Sequence, residues 1–159
     1  MGAPIHAVIG VRHEGPSTWY VRRSLTMANY PGVWSLPSIQ YDPAAFIDAE
    51  DLDHASTLFS ALSAQRLGGV PIRVESLLIS GSSDMNPMDV DVHLRLYRIA
   101  LSAEPVLEPS YYVGAEWMSP ERYEEASAGQ ACGLCLRLWS DFAWLSGITD
   151  RPFVARPSA

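Results

Sequence analysis

The stretch from Tyr20 to Pro37, YVRRSLTMANYPGVWSLP, reads as the end of one strand, a turn and a second short strand. Thr18 to Arg23 is a compact run with β-branched and aromatic residues, closed by the pair Arg22 and Arg23. Side chains alternate across a strand, so one of the two guanidiniums points outward, where its planar fork suits phosphate or carboxylate. Tyr30, Pro31 and Gly32 then form a turn, with proline holding its own φ near about −65° and glycine free to take a positive φ. Val33 to Leu36 follows as a strand, and Pro37 stops it.

Working outward toward the N-terminus, His6 to Arg12 is apolar and β-branched. His13, Glu14, Gly15, Pro16 and Ser17 separate it from Thr18 to Arg23, which predicts a β-hairpin. Toward the C-terminus, Ser38 to Asp51 lacks periodicity and contains Pro43, so most of it reads as loop. Asp53 is placed to cap a helix from His54 to Leu67, with Gly68 and Gly69 as its stop. Val70 to Ile79 reads as a strand broken at Gly81-Ser82-Ser83-Asp84, and Val90 to Leu101 as a long one. On that second strand Val90, Val92, Leu94 and Leu96 share one face, and Asp89, Asp91, His93, Arg95 and Tyr97 share the other.

After a proline-interrupted loop, Tyr111 to Met118 is a further strand, and Ser119-Pro120-Glu121 is a helix start with serine as cap and proline in the first turn. Gln130 to Leu145 repeats apolar residues at three and four positions, including Cys132, Cys135, Leu136, Trp139 and Phe142, as a helix with a buried face does. The order of elements predicts a mixed α/β (α+β) domain spanning 1–150, with helices covering a curved sheet, and an extended tail over 151–159.

Composition narrows the function classes. The chain has 159 residues, enough for one core, with 11 basic against 18 acidic residues and a formal charge of −7. Every basic residue is arginine, which removes lysine-based Schiff-base or phosphate-loop chemistry and fits the Arg-only, Ala-rich usage of GC-rich bacterial genomes. The acidic balance argues against nucleic acid as a partner. No apolar run is long enough for a membrane span and no signal peptide is evident, so a cytoplasmic location is expected. A small-molecule ligand is the expected partner, and Trp139, Phe142, Trp144 and Leu145 on the last helix offer a surface for a homodimer or a larger enzyme.

Two passages carry a family resemblance. The run Tyr20 to Pro37, with its Arg-Ser pair and its Pro-Gly-x-Trp-x-Leu-Pro string, resembles the approach to the catalytic loop in the Nudix (MutT-like) hydrolase superfamily. Glu116-Trp117-Met118-Ser119-Pro120-Glu121 is similar to the acidic-Trp strand and following helix that close many Nudix domains. The resemblance spans roughly residues 5 to 145 and implies a Nudix-like α/β/α sandwich.

The same resemblance implies a degenerate Nudix box. Family members follow Leu-Pro with two glycines and then a helix whose glutamates hold divalent cations against a diphosphate. Here Ser38 and Ile39 follow Leu36-Pro37, and the best match for the helix, Ser60 to Gln65, puts Ala61, Ala64 and Gln65 at glutamate positions. Mg²⁺ requires oxygen ligands in near-octahedral array, and two alanines supply none. The expectation is therefore a Nudix-fold protein that binds a small, phosphate- or nucleotide-containing ligand, or a partner, without ordinary pyrophosphohydrolase activity. No cofactor is expected. The alternative is an active hydrolase or biosynthetic enzyme using acidic residues outside the box, or a metal-free catalyst on the same fold, with Mg²⁺ or Mn²⁺ entering only if an acidic loop replaces the box.

The candidate residues follow from these readings. Asp48, Glu50, Asp51, Asp53 and His54 cluster in and after the inserted loop, and Glu50 is the catalytic candidate among them; the competing assignment is a solvated acidic loop. Asp91 and His93 are acid-base candidates, with Asp89, Arg95 and Tyr97 as ligand contacts on the same strand face, unless that row is merely its wet side. Arg22 and Arg23 are candidates for an anionic group, and Trp34 and Tyr112 for a planar one. Glu116 resembles a family position sometimes recruited as general base; the competing assignment is an acidic residue at a strand end. Cys132 and Cys135 form CxxC, which within an amphipathic helix reads as two small core residues rather than half a zinc site.

Overall fold

The strand β1 (Ile5–Val11) is apolar on both sides and needs cover on both. A computed structural model describes residues 3–45, 52–83 and 90–154 and places β1 inside a four-stranded mixed sheet. β1 runs antiparallel to β5 (Ser38–Gln40) on one edge and parallel to β7 (Val92–Leu101) on the other, and β7 in turn pairs antiparallel with β6 (Ile72–Ser83). Ala7, Ile9 and Val11 enter one core cluster, and Val8 enters a second on the opposite face.

The hairpin expected from His6–Arg12 and Thr18–Arg23 does not form as such. The chain leaves the first sheet after Val11, and only β2 (His13–Glu14) turns back onto β3 (Ser17–Arg23). Seven-residue pairing with β7 gives β1 the two covered faces its side chains require, which a hairpin edge would not. β3 is the centre of a second sheet, with β2 and β4 (Trp34–Ser35) on one edge and β8 (Tyr112–Met118) on the other.

The segment from Ser38 to Asp51, expected to be mostly loop, opens with β5, which satisfies its backbone along the free edge of β1. One expectation in this region needs correction. The break predicted at Gly81 is absent, because β6 continues through Ser83 in register with the start of β7. Glycine at 81 admits α3 (Leu134–Leu145), since a Cβ there would meet Leu138 Cδ2 at 2.7 Å.

α1 (Leu52–Arg66) buries Ala55, Phe59, Leu62 and Ser63 against one side of the first sheet. It begins at Leu52, so Asp53 stands in the first turn rather than at the cap, where its charge still favours the helix dipole. Its end matches the expectation: Gly68 and Gly69 take φ of 75° and 79°, and the Gly69 amide returns to the Ser63 carbonyl. α2 (Pro120–Ala126) is capped as its sequence predicts, with Ser119 Oγ accepting from the Arg122 amide at 3.1 Å.

α3 starts at Leu134, four residues later than predicted, because Gly133 is extended at φ −77° and ψ 166°. It lies against the other side of the first sheet, with Trp139 buried and its Nε1 donating to Thr18 Oγ1 at 3.1 Å. Trp139 is thus core rather than surface, whereas Trp144 and Leu145 are exposed. Residues 151–154 are pinned against the domain: Phe153 is buried near Tyr123, and the amides of Phe153 and Val154 donate to Ser140 Oγ. With α1 on one face and α2 and α3 on the other, the layers are those of an α/β/α sandwich with curved sheets.

Candidate ligand-binding site

A cavity opens where β1 and β7 run out from under α3. Ile5, Ala7, Val92 and Leu94 are among its apolar lining, and Tyr30 and Trp34 line it as well. Gly133, Leu134 and Cys135 at the start of α3 close one side. Arg23, Arg137, Asn29, Ser38 and Gln40 are among the polar residues of the wall. The described lining contains two guanidiniums and no carboxylate.

Each polar element has a local cause. Arg23 sits at the irregularity where β3 and β8 shift register, and its Nε and Nη2 donate to the Asn29 carbonyl at 3.0 and 2.7 Å. That bond holds the turn against β3, and burial pulls the Arg23 pKa down. Tyr30 has φ of 48°, a left-handed conformation that costs a side-chain-bearing residue about 1–2 kcal/mol. Such strain persists where the surroundings impose it, often at binding sites. Gly32, at φ 74°, completes the turn without that penalty.

α3 brings its N-terminus to the cavity. Gly133 at the N-cap supplies no side-chain hydrogen bond, so the first amides of the helix keep their affinity for an anion. Arg137, one turn in, has a buried Nε without a hydrogen-bond partner among the described residues. Leaving such a donor unsatisfied costs about 1–3 kcal/mol, which an acceptor on a ligand would recover.

The cysteines do not add a nucleophile. Burial pushes the Cys135 thiol up, and its Sγ lies 3.6 Å from Ser35 Oγ. Burial and the neighbouring Cys135 push Cys132 up to about 11. Both are thiols at neutral pH, in keeping with the core assignment.

The structure brings together only some of the residues singled out in the sequence. Arg23 and Trp34 line the cavity, and the Trp34 amide donates to Gln130 Oε1 at 3.2 Å. Arg22 is the outward member of its pair and donates to the Gly32 carbonyl. Tyr112 is buried; its hydroxyl accepts from the Ser38 amide at 3.1 Å and from Arg66 Nη1 at 3.2 Å, tying the end of α1 to the cavity rim. Tyr97, expected on an open strand face, is fully buried edge-on to Phe59, because α1 covers that end of β7. His93 and Arg95 lie on the face of the first sheet away from the cavity.

Asp91 is exposed just before β7. Glu116 is away from the cavity, bonded to Arg122 Nε at 2.7 Å, and that bond holds its carboxyl below the usual range. Asp48, Glu50, Asp51 and Asp89 lie outside the described residues. Tyr30 and Arg137 were not singled out beforehand. The available signal was Gly133 ahead of an apolar helix, with Arg137 as the one charge in the helix's first turn and a half.

The fold compares closely with solved Nudix structures. A NUDIX hydrolase from Nitrosomonas europaea superposes with a TM-score of 0.66 at 13% identity, covering 97% of each chain. The fold is Nudix. A MutT NUDIX hydrolase from Burkholderia pseudomallei gives 0.56 at 18% identity, over 76% of this chain and 86% of that one. A MutT protein from Methanosarcina mazei Go1 gives 0.55 at 16% identity, over 76% and 80%. No family model matches the sequence, and no curated protein does.

Members of the Nudix fold commonly hold divalent metal on the helix equivalent to α1. Here Ala61, Ala64 and Gln65 are exposed on α1, and Gln65 Oε1 already accepts from Arg66 Nε. Among the described residues no three of His, Cys, Asp or Glu converge on a point. Those three positions carry no carboxylate of the kind Mg²⁺ takes.

Proposed function

We propose that this Nudix-fold chain binds a small anionic ligand carrying a planar ring, of the phosphate- or nucleotide-containing class, and does so without the ordinary metal-dependent pyrophosphohydrolase reaction. One observation carries the reading. The cavity combines Arg23, Arg137 and an uncapped helix N-terminus with no lining carboxylate among the described residues. In a metal-dependent site, acidic side chains bring in a cation that neutralises the ligand; in this cavity the protein's own fixed positive charge does so. An anion would accept from Arg137 Nε and from the first α3 amides, while Tyr30 and Trp34 in the lining supply aromatic side chains for a planar group. Chain-wide negative charge does not oppose this, since the field inside a low-dielectric cleft is set by the groups that line it.

The test is calorimetric titration of ADP-ribose, a ligand with diphosphate and ring together, with and without Mg²⁺ or Mn²⁺, followed by assay for hydrolysis. The reading predicts saturable binding that needs no metal, weakens in Arg137→Met and yields no product. Binding or turnover that requires metal, and that disappears on substituting Glu50, Asp91 or another single acidic residue, would overturn it and establish an active hydrolase.

A further inference from the structure

On the opposite face of the first sheet a second recess is built from β1, β7, β6 and the segment after β5. His6 and His93 are paired in register across the parallel strands, and their rings stack at 4.7 Å with 13° between planes. Arg95, two residues along β7, carries its guanidinium 5.8 Å from the centre of the Tyr41 ring and bonds to that side chain. Tyr41 meets His6 edge-on at 5.8 Å. Ser80 and Ser82 on β6 complete the rim.

Imidazole N–H, guanidinium, phenol and two hydroxyls can all donate, the guanidinium adds fixed positive charge, and no carboxylate lines the recess among the described residues. Asp42 lies close enough to act on His6 electrostatically but is not part of the lining. Parallel face-stacked imidazoles beside a guanidinium are poorly disposed toward a cation, because the two rings do not converge and the arginine repels it. A compact anion instead suits the guanidinium and the donors beside it.

We propose that His6, His93 and Arg95, with the serine hydroxyls of β6, form a second ligand site that takes a phosphate-sized oxyanion. The site is separate from the cavity at Arg137. Alternation along β1 sends Ile5 and Ala7 to that cavity and His6 to the other side of the sheet. Burial, then His93 and Arg95, lower the His6 pKa, while Asp42 opposes them; a bound oxyanion would raise it.

The experiment is titration of inorganic phosphate into the full chain, following the ring-proton resonances of His6 and His93 by NMR, with glycerol phosphate in a parallel series. The expected result is a saturable shift of both resonances and a higher titration midpoint for His6. Affinity should fall about tenfold or more in Arg95→Met and also fall in His6→Gln, an accessible position if the arginine variant folds poorly. Arg137→Met should leave this binding unchanged, so the site can stand or fall independently of the cavity. A stronger response to glycerol phosphate identifies a phosphomonoester site, and an equal response a site for the phosphate group itself. Absence of a saturable shift with either probe, or a shift that survives both recess substitutions, overturns the proposal.

Discussion

The two faces of the first sheet are covered by helices in different ways. α1 lies along its face and presses a flank into it, so that Val8, Phe59, Leu62, Tyr97 and Ile99 share one buried cluster. The fit is tight at Gly10, where a Cβ would meet Ile99 Cδ1 at 2.6 Å and Phe59 Cε1 at 3.1 Å. α3 covers the other face only from Leu136 and Trp139 onward, and at Ile5, Ala7, Val92 and Leu94 it offers its end instead of its side. A helix flank buries side chains, whereas a helix end carries unpaired amides and a partial positive charge. The flank of α1 gives stability, and the end of α3 gives the cavity its chemistry.

Core truncation on the two sides tests the first half of that contrast. Phe59→Ala and Trp139→Ala should each lower unfolding free energy by about 3–5 kcal/mol in urea titrations. A Trp139 variant no worse than a conservative surface change would show that α3 is loosely held and the cavity wall with it. Gly10→Ala probes the tight side and should cost about 1–3 kcal/mol through overpacking, with ligand affinity unchanged. If affinity fell as well, the two faces would be coupled through β1.

Arg137→Met addresses the helix end. It should reduce ADP-ribose affinity about tenfold by removing a charge-assisted donor, while the denaturation midpoint stays close to wild type. Arg66→Met is its counterpart on α1. By cutting the bond to Tyr112 it should lower the denaturation midpoint slightly and leave affinity nearly intact.

The smallest effect concerns Glu116 and Arg122, an exposed pair away from both faces. The folded-state pKa of Glu116 is depressed below 4.5, so the pair's contribution is present above that pH and is lost as pH falls through the folded value. Denaturation of Arg122→Met against wild type should show a barely measurable difference at pH 7 that vanishes in acid and in high salt. A large difference, or any loss of ligand affinity, would return Glu116 to the site.

Much of the fold was legible locally. Pro31-Gly32 fixed a turn, Ser119-Pro120 a helix start, Gly68-Gly69 a helix end, and the spacing of Cys135, Leu136 and Trp139 a buried helical face. These signals depend on neighbours within one or two turns of chain, so the sequence carries them whole. The Pro-Gly-x-Trp-x-Leu-Pro string extended that reading to the Nudix fold, which the superpositions support at identities of 13–18%.

Tertiary structure decided what depends on residues far apart in sequence. Alternation along β7 could not say that α1 covers Tyr97 but leaves His93 on the recess, since cover comes from Phe59, on a helix much earlier in the chain. Nor could it choose between β3 and β7 as the partner of β1, because hydrogen-bonding edges carry no side-chain label. The cavity joins Arg23, Trp34 and Arg137, and the recess joins His6, Tyr41 and His93. The sequence determined that these groups exist and which element holds each; only packing determined which of them share a space, because that depends on strand order and on where α3 begins.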